Sequence, residues 1–487
     1  MVPANEKKPG KSRHSIIKIR PFFGRKPCLS LVKTLVCLLV SAAALCQSTA
    51  AEPGPSKPNL LLIVADDLGW SDVGWHGGFG KTPHMDRLVK EGVELDQHYV
   101  QPVCTPTRTA LMSGRYPGRF GPQPLTPSNL RAMPLGTVTM ASALKAVGYA
   151  THQCGKWHLG ARPEWGPTAY GFDTSYGTLT GAADPWTHKY RQGNPYEDTW
   201  HRDGQRLDEE GNATELVAAE ALRRIEEKKA PWFVYVPFHA VHTPVDAPEK
   251  YLRLYDGVKF HDDPVKHESR LRLAAMIAQL DAKIGQFVAA LEKTGQRGNT
   301  LIIFTSDNGG IESLKNNYVG KVGDSPLNSE NDPLRGQKNT LYEGGTRVCA
   351  FANWPAKLKP QKFATPMHAV DWLPTVASLA GYKSKAELKW DGIDQWPALT
   401  GTGAASTAPR TIYIAMAKGH SLRHGDWKLI APGKGAPELY DIAADPFEKT
   451  NLAEAETGRL TELQKLLAAQ RAKDDPKLSE DLVGLPH

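Results

Sequence analysis

The 487-residue sequence predicts an α/β protein built on a doubly wound central sheet flanked by helices, with a smaller antiparallel sheet and one helix after it. Three observations carry that expectation. Short continuous apolar runs recur, each ending in polar or charged residues, as buried parallel strands do. Segments with apolar residues at helical spacing lie between them. Toward the C-terminus the alternation gives way to short strands separated by turns.

Residues 1–51 hold nine Lys/Arg against one acid, Glu6, then an apolar stretch at 34–46 and the small residues of "QSTAAE". A basic start, a short apolar middle and a small-residue exit describe a secretory signal peptide cut near Ala50 or Ala51. The run is short for a membrane span, so none is expected once the leader is gone; a retained anchor and a lipid-modified Cys46 are the alternatives. Of the chain's net charge of +7, this leader carries +8, which leaves the remainder near −1 and removes the basic footprint that a nucleic-acid partner would require.

After the linker "AEPGPSKP", the run "NLLLIVADDLG" reads as a buried strand whose carboxyl end carries Asp66 and Asp67. "TPHMDRLVKEG" reads as a helix with Thr82 as N-cap and Pro83 at the first position. "VGYATHQCGKWHLG" and "PWFVYVPFHAVHTP" read as strands leading into His-bearing loops. A long amphipathic helix follows through Leu273, Met276, Ile277, Leu280, Ile284, Phe287, Val288 and Leu291, and the strand "NTLIIFTSDNGG" then ends in Asp307 and Asn308. The expected division is a catalytic domain over 58–385 and an α+β subdomain over 386–487, with strands in "TIYIAM", "HSLRHGDWKLIA" and "ELYDI" and a helix around 460–471. In such sheets ligands gather beyond the carboxyl ends of the strands.

Two strand ends that deliver Asp66, Asp67, Asp307 and Asn308 offer oxygen-only ligands, which suit Ca²⁺ or Mg²⁺; no CxxC or HExxH spacing supports zinc. Loss of the leader leaves Cys104, Cys154 and Cys349 of six cysteines, an odd number for an oxidising compartment. Cys104 sits in "CTPTR", before a helix start. A catalytic thiol, a buried inert cysteine and a phosphatase loop are three readings, and the last places its arginine six positions on, whereas Arg108 is four away.

The C-x-P-x-R pattern, continued by "LMSGRYPGR", resembles the signature of the formylglycine-dependent (type I) sulfatases, in which the cysteine is oxidised to an aldehyde. "ADDLGWSDVGWHG", "TPHMDRLVKEGV", "GKWHLG", "SDNGG", "LRGQKNTLYEGGTR", "DWLPTVASLAG" and "GDWKLI" resemble further blocks of that family in its order. "GFDTSYGTLTGAADPWTH", "YEDTWHRDG" and "WDGIDQW" are most similar to the arylsulfatase B, or N-acetylgalactosamine 4-sulfatase, group.

The resemblance implies an alkaline phosphatase-like fold, one Ca²⁺ held by Asp66, Asp67, Asp307, Asn308 and the converted Cys104, and maturation by a formylglycine-generating enzyme. It implies that the hydrated aldehyde attacks sulfur, aided by Arg108. Lys156 and Lys338 would grip sulfate oxygens, and His242 with Lys338 would assist the leaving oxygen. His158 would then act as base while sulfate is eliminated. His239 is expected to support the site, and Trp186 and His188, with Arg423 behind them, to face a sulfated carbohydrate substrate. Three Cys and one sequon, Asn212-Ala213-Thr214, suit a bacterial exported enzyme, periplasmic or secreted; Cys154 and Cys349 are either bridged or two buried thiols. Two other classes stay open: a phosphomonoesterase or phosphonate hydrolase on the same fold, and a non-catalytic glycan-binding relative.

Overall fold

The computed structural model describes residues 18, 20–21, 57–229, 231–313, 327–384, 387–403 and 408–485. The chain divides into two compact units, Met1–Ser56 and Lys57–His487. In the first, Lys18, Arg20 and Pro21 are described and exposed; the rest of the expected signal peptide lies outside the described residues.

In the second unit the strands run β1 (Asn59–Ala65), β2 (Val93–Leu95), β3 (His98–Tyr99), β4 (Ala150–Lys156), β5 (Thr174–Thr178), β6 (His201–Arg202), β7 (Gln205–Arg206) and β8 (Trp232–Pro237). They continue through β9 (Thr300–Ser306), β10 (Ala350–Asn353), β11 (Gln361–Phe363) and β12 (Met367–His368). A ten-stranded sheet has the order β11-β2-β10-β9-β1-β8-β4-β5-β6-β7. Its centre, β9-β1-β8-β4-β5, is wholly parallel. Antiparallel pairs of β10 with β9 and of β6 with β5 make the sheet mixed toward its edges.

The alternation of β1 shows why it lies at the centre. Leu60, Leu62 and Val64 join one apolar cluster and Leu61, Ile63 and Ala65 the other, so helices must cover both faces. Each fully buried Leu or Ile contributes about 1.5–3 kcal/mol, so burial on both faces makes this strand a large part of the core. One cover is the helix Pro264–Lys293, started by Asp263, whose carboxylate accepts from the amides of Val265 (2.8 Å) and Lys266 (3.1 Å). All eight apolar residues expected on its inner face are buried.

The helix Pro83–Lys90 forms as expected, but Thr82 does not cap it. Its hydroxyl accepts from Gly74 N–H at 2.7 Å and donates to Asp86 at 2.7 Å, serving the preceding turn instead. Cys154 and Cys349 are free, buried thiols. Asn212 caps the helix Ala213–Glu226 and is itself buried, so its sequon presents no exposed amide for a glycan. Among the described residues no helix is long and apolar enough to cross a membrane.

The small sheet, β13 (Thr411–Met416), β14 (Gly419–His424), β15 (Trp427–Pro432) and β16 (Glu438–Asp441), is antiparallel in that order. Tyr413, Leu422 and Leu429 share the larger apolar cluster with Leu463 and Leu467 of the helix Thr457–Arg471. Ile412, Ile414, Ile430 and Tyr440 pack on Tyr99 and Leu341 from the other face. Behind that contact lies a buried ionic strut. The Lys428 ammonium sits 2.8 Å from both Glu343 and Glu448, and Tyr99 O–H donates to Glu343 at 2.7 Å. Arg423 belongs to this strut: it bonds the Tyr99 hydroxyl and lies over its ring.

Candidate active site

Four of the five central parallel strands end on chemistry-bearing residues at one edge of the sheet. β1 runs into Asp66 and Asp67, β9 into Asp307 and Asn308, β4 ends on Lys156 just before His158, and β8 leads to His239 and His242. The turn after β8 is pinned to β1 by Asp66 N–H to Ala240 O (3.0 Å) and Val241 N–H to Asp66 O (2.8 Å). Asp307 N–H donates to Ala65 O at 3.0 Å, which locks the β1 and β9 ends together.

The helix Cys104–Ser113 points its start into this cluster, with Cys104 as its first residue and every side chain buried. It is polar for a buried helix, and backbone carbonyls satisfy its hydroxyls: Thr109 donates to Thr105 O and Ser113 to Thr109 O within the helix, and Thr107 to Gln101 O in the segment before it. Val103 supplies no side-chain cap, so first-turn amides remain for an anion.

Arg108 grips Asp307 Oδ2 through Nε (3.0 Å) and Nη2 (2.7 Å), donates from Nη1 to Lys156 O (3.0 Å), and stands 3.6 Å from Asp66. Lys156 pairs with Asp66, and Lys338 with Asp67. Three carboxylates thus face three cations, all buried. Burial raises the Asp67 carboxyl, but Lys338, His242 and the Asn308 amide outweigh it and hold the group below the usual carboxylate range. Asp307 is pushed up to about 6 by burial and by Asp66, against the pull of Arg108.

The donor set fits a hard divalent cation. Asp66 Oδ1, Asp67 Oδ2 and Asn308 Oδ1 are buried oxygens with no hydrogen-bond partner. Ligand atoms of Asp66, Cys104 and Asp307 lie within 4.8 Å of one another, as do those of Asp66, Asp67 and His242. Unpaired buried oxygens are costly unless something binds them, and carboxylate and amide oxygens select Ca²⁺ or Mg²⁺.

Asp67 and His158 both adopt left-handed backbone, at φ 63° and 57°. Asp67 is held there by a 3.3 Å bond from its N–H to Asp307 Oδ1, and His158 by one of 3.1 Å to Leu179 O. Such strain, of the order of 1–3 kcal/mol per residue, persists where the surroundings fix it. Burial, then Lys156 and Arg108, drives His158 well below its ordinary value, which leaves a neutral imidazole. His242 donates from Nδ1 to Thr243 O (2.6 Å), turns Nε2 toward Asp67 (3.7 Å), and is pushed down to about 3, mainly by burial. Burial raises the Cys104 thiol against Lys156 and Lys338, so the unmodified cysteine is a protonated, weak nucleophile.

The candidate metal and catalytic residues are therefore brought together, while Trp186, His188 and Arg423 are engaged by other partners, His188 reaching toward His239 through Trp200. Trp186 is 41% exposed, with its indole N–H on Asp246 at 2.9 Å. His188 is buried, stacked on Trp200 at 4.3 Å with Nε2 2.9 Å from Gly211 O. Arg423 lies in the strut described above. Two contributors escape a reading of motifs. Thr178 Oγ1 holds His239 Nε2 at 2.6 Å, which gives His239 a defined place. Gly181 lies so near His158 that a Cβ there would fall 2.2 Å from Nε2. The segment "TLTG" after a strand end is the one signal that points to either.

The family sequence model described as Sulfatase matches residues 58–382. The chain belongs to the sulfatase family. Arylsulfatase J of Mus musculus is 32% identical over 482 residues, covering 86% of this sulfatase and 76% of that protein. N-acetylgalactosamine-6-sulfatase of Sus scrofa is 31% identical over 385 residues, covering 74% and 69%. The crystal structure of Ps i-CgsB in complex with k-i-k-neocarrahexaose superposes with a TM-score of 0.76 at 30% identity, covering 86% of this sulfatase and 94% of that chain. The alkaline phosphatase-like architecture implied by the sequence blocks is the one observed.

Proposed function

We propose that this sulfatase is an exported enzyme that removes sulfate from a galactose-type sugar unit, with Cys104 matured to formylglycine by a formylglycine-generating enzyme. The observation that carries this reading is the set of unpartnered oxygens on Asp66, Asp67 and Asn308 around the start of the Cys104 helix, with Arg108 fixed on Asp307. Export is supported by the basic and apolar leader of the sequence.

Ca²⁺ would be held by Asp66, Asp67, Asp307 and Asn308, and together with the hydrated aldehyde it would supply a nucleophilic oxygen at neutral pH. With a divalent ion added to a charge-balanced cluster the site becomes net positive, which suits a sulfate ester. Arg108 cannot swing away from position 104 while Asp307 and Lys156 O hold three of its nitrogens. Lys156 and Lys338 offer positive charge to sulfate oxygens. His158, neutral and pressed against Gly181, is suited to accept a proton. His242 carries its proton on Nδ1, so donation to a leaving oxygen from Nε2 requires the ring to gain a second proton as the anionic substrate enters.

The sequence blocks favour N-acetylgalactosamine 4-sulfate, the relative in Sus scrofa is named for the 6-sulfate, and Ps i-CgsB was solved with a neocarrahexaose. Sulfate release from N-acetylgalactosamine 4-sulfate, its 6-sulfate and k-i-k-neocarrahexaose, beside an aryl sulfate and an aryl phosphate, tests the reading. Preference for a sugar sulfate supports it. Preference for the aryl phosphate overturns it in favour of a phosphomonoesterase.

A further inference from the structure

We propose that the cleft between the Lys338 loop and the small sheet is a subsite for a sugar flanking the sulfated one, and that Lys418 at its rim receives an anionic substituent of that glycan. This rests on the sugar-sulfatase reading above. The cleft has a volume of about 460 Å³, within the usual range of small-ligand sites. Leu341, Met416 and Ile430 give it an apolar surface, while Asn339, Lys418 and Glu438 supply polar groups around it. An apolar surface beside a few hydrogen-bonding side chains suits the two-sided character of a sugar ring.

Both walls are tied to the segment that delivers Cys104. Asn339 follows Lys338 directly, and its N–H donates to Pro102 O at 3.0 Å. On the other wall, Ala415, next to Met416, donates its N–H to Gln101 Oε1 at 2.9 Å. Pro102 is two residues from Cys104, a stretch of at most about 7 Å even when extended. The cleft therefore begins close enough to the reacting centre for an adjoining ring of one oligosaccharide to enter it.

Its charge favours an anion. Glu438 is already engaged: it accepts from the Tyr342 hydroxyl at 2.9 and 3.1 Å, bonds Tyr440, and lies 3.7 Å from Arg335. Lys418 is exposed and has no ion pair among the described residues. Its backbone is nevertheless fixed, because Lys418 O accepts from Gly433 N–H at 2.9 Å and a Cβ at Gly419 would already lie 3.1 Å from Leu341. A change of the Lys418 side chain leaves those backbone contacts intact.

The test compares substrates that share a scissile ester and differ in length: chondroitin 4-sulfate hexasaccharide against N-acetylgalactosamine 4-sulfate, and k-i-k-neocarrahexaose against galactose 4-sulfate. For the pair that the wild type desulfates, Lys418→Glu is expected to lower the ratio of hexasaccharide to monosaccharide kcat/KM about tenfold, through KM; Lys418→Ala should lower it about threefold and Lys418→Arg restore it. An unchanged ratio overturns the proposal, and so does an equal fall on both substrates, which would place the effect in the reacting centre. If the wild type desulfates neither pair, the substrate reading fails, and the cleft is judged by titration with the two hexasaccharides. Weaker binding by Lys418→Glu then supports the subsite, and equal or absent binding overturns it.

Discussion

The protein holds two buried charge clusters, and they differ in one respect that separates a site from a strut. In the strut joining the small sheet to Glu343, every carboxylate oxygen has a donor or a cation within 2.8 Å, although Glu448 Oε1 meets Lys428 as an ion pair without a hydrogen bond. Glu343 takes Lys428 and Tyr99, and Glu448 takes Lys428 and the Glu343 N–H. In the cluster at the strand ends, charges also balance, yet Asp66 Oδ1, Asp67 Oδ2 and Asn308 Oδ1 make no hydrogen bond, and the group paired with Asp67 Oδ2, His242, stands 3.7 Å away. A completed network rigidifies, whereas an incomplete one carries a cost that a bound group can remove. Burial and charge alone would have ranked the two clusters together.

Substitutions should therefore act on different quantities in the two places. The largest effect belongs to the strand-end cluster: Cys104→Ala is expected to lower sulfate release by about 10⁴-fold or more, as loss of a nucleophile does. Its melting temperature should stay within a few degrees of the wild type, and a stable variant with wild-type rates would remove Cys104 from the chemistry.

In the strut the order reverses. Lys428→Met leaves Glu343 and Glu448 buried without their shared cation, so a loss of about 3–5 kcal/mol in denaturant unfolding is expected, with turnover per folded molecule within about twofold. Unchanged stability would mean that the two carboxylates relax by taking up protons at little cost.

Ca²⁺ should sharpen the contrast, because only the incomplete cluster has ligands to offer it. At one hundred times its dissociation constant the ion should stabilise the fold by about 2.7 kcal/mol, and a chelator should reverse this. Asp67→Asn should blunt that shift while Lys428→Met retains it, and equal shifts in both variants would place the ion elsewhere.

The smallest effect comes from a buried group outside both clusters. His98 accepts from Trp372 N–H at 3.0 Å through Nε2, which places its own proton on Nδ1, 3.3 Å from the Thr305 hydroxyl. Burial pushes it down to about 3 from an ordinary 6.5. As pH falls below 6.5 the unfolded chain takes up this proton and the folded one does not, so stability is full above 6.5 and is lost toward 3. About 2 kcal/mol of this contribution should be gone by pH 5, and His98→Gln should make the fall of melting temperature with pH shallower, while other buried histidines such as His152 and His368 keep part of it.

Much of this was legible in the chain itself, for reasons that differ by region. The central strands announce themselves because burial on both faces forces continuous apolar runs, and the polar ends of those runs are the site. Thr82 misled because a threonine before proline satisfies the rule for a helix cap, while a tertiary partner, Gly74, took the hydroxyl. The edge strands are short and hydrogen-bonded across long separations, so no local period marks β6, β7 or β11. Gly181 and Thr178 act through contact with residues far off in the chain, and Arg423 reads as a pocket cation until Tyr99 is seen beneath it.

The most direct measurement is the mass of the tryptic peptide over residues 91–108, taken from protein that releases sulfate. The mass of an aldehyde or its hydrate at Cys104 is expected. An unmodified thiol in a sample with full turnover would contradict a formylglycine nucleophile and return Cys104 to the buried thiol that its surroundings otherwise favour.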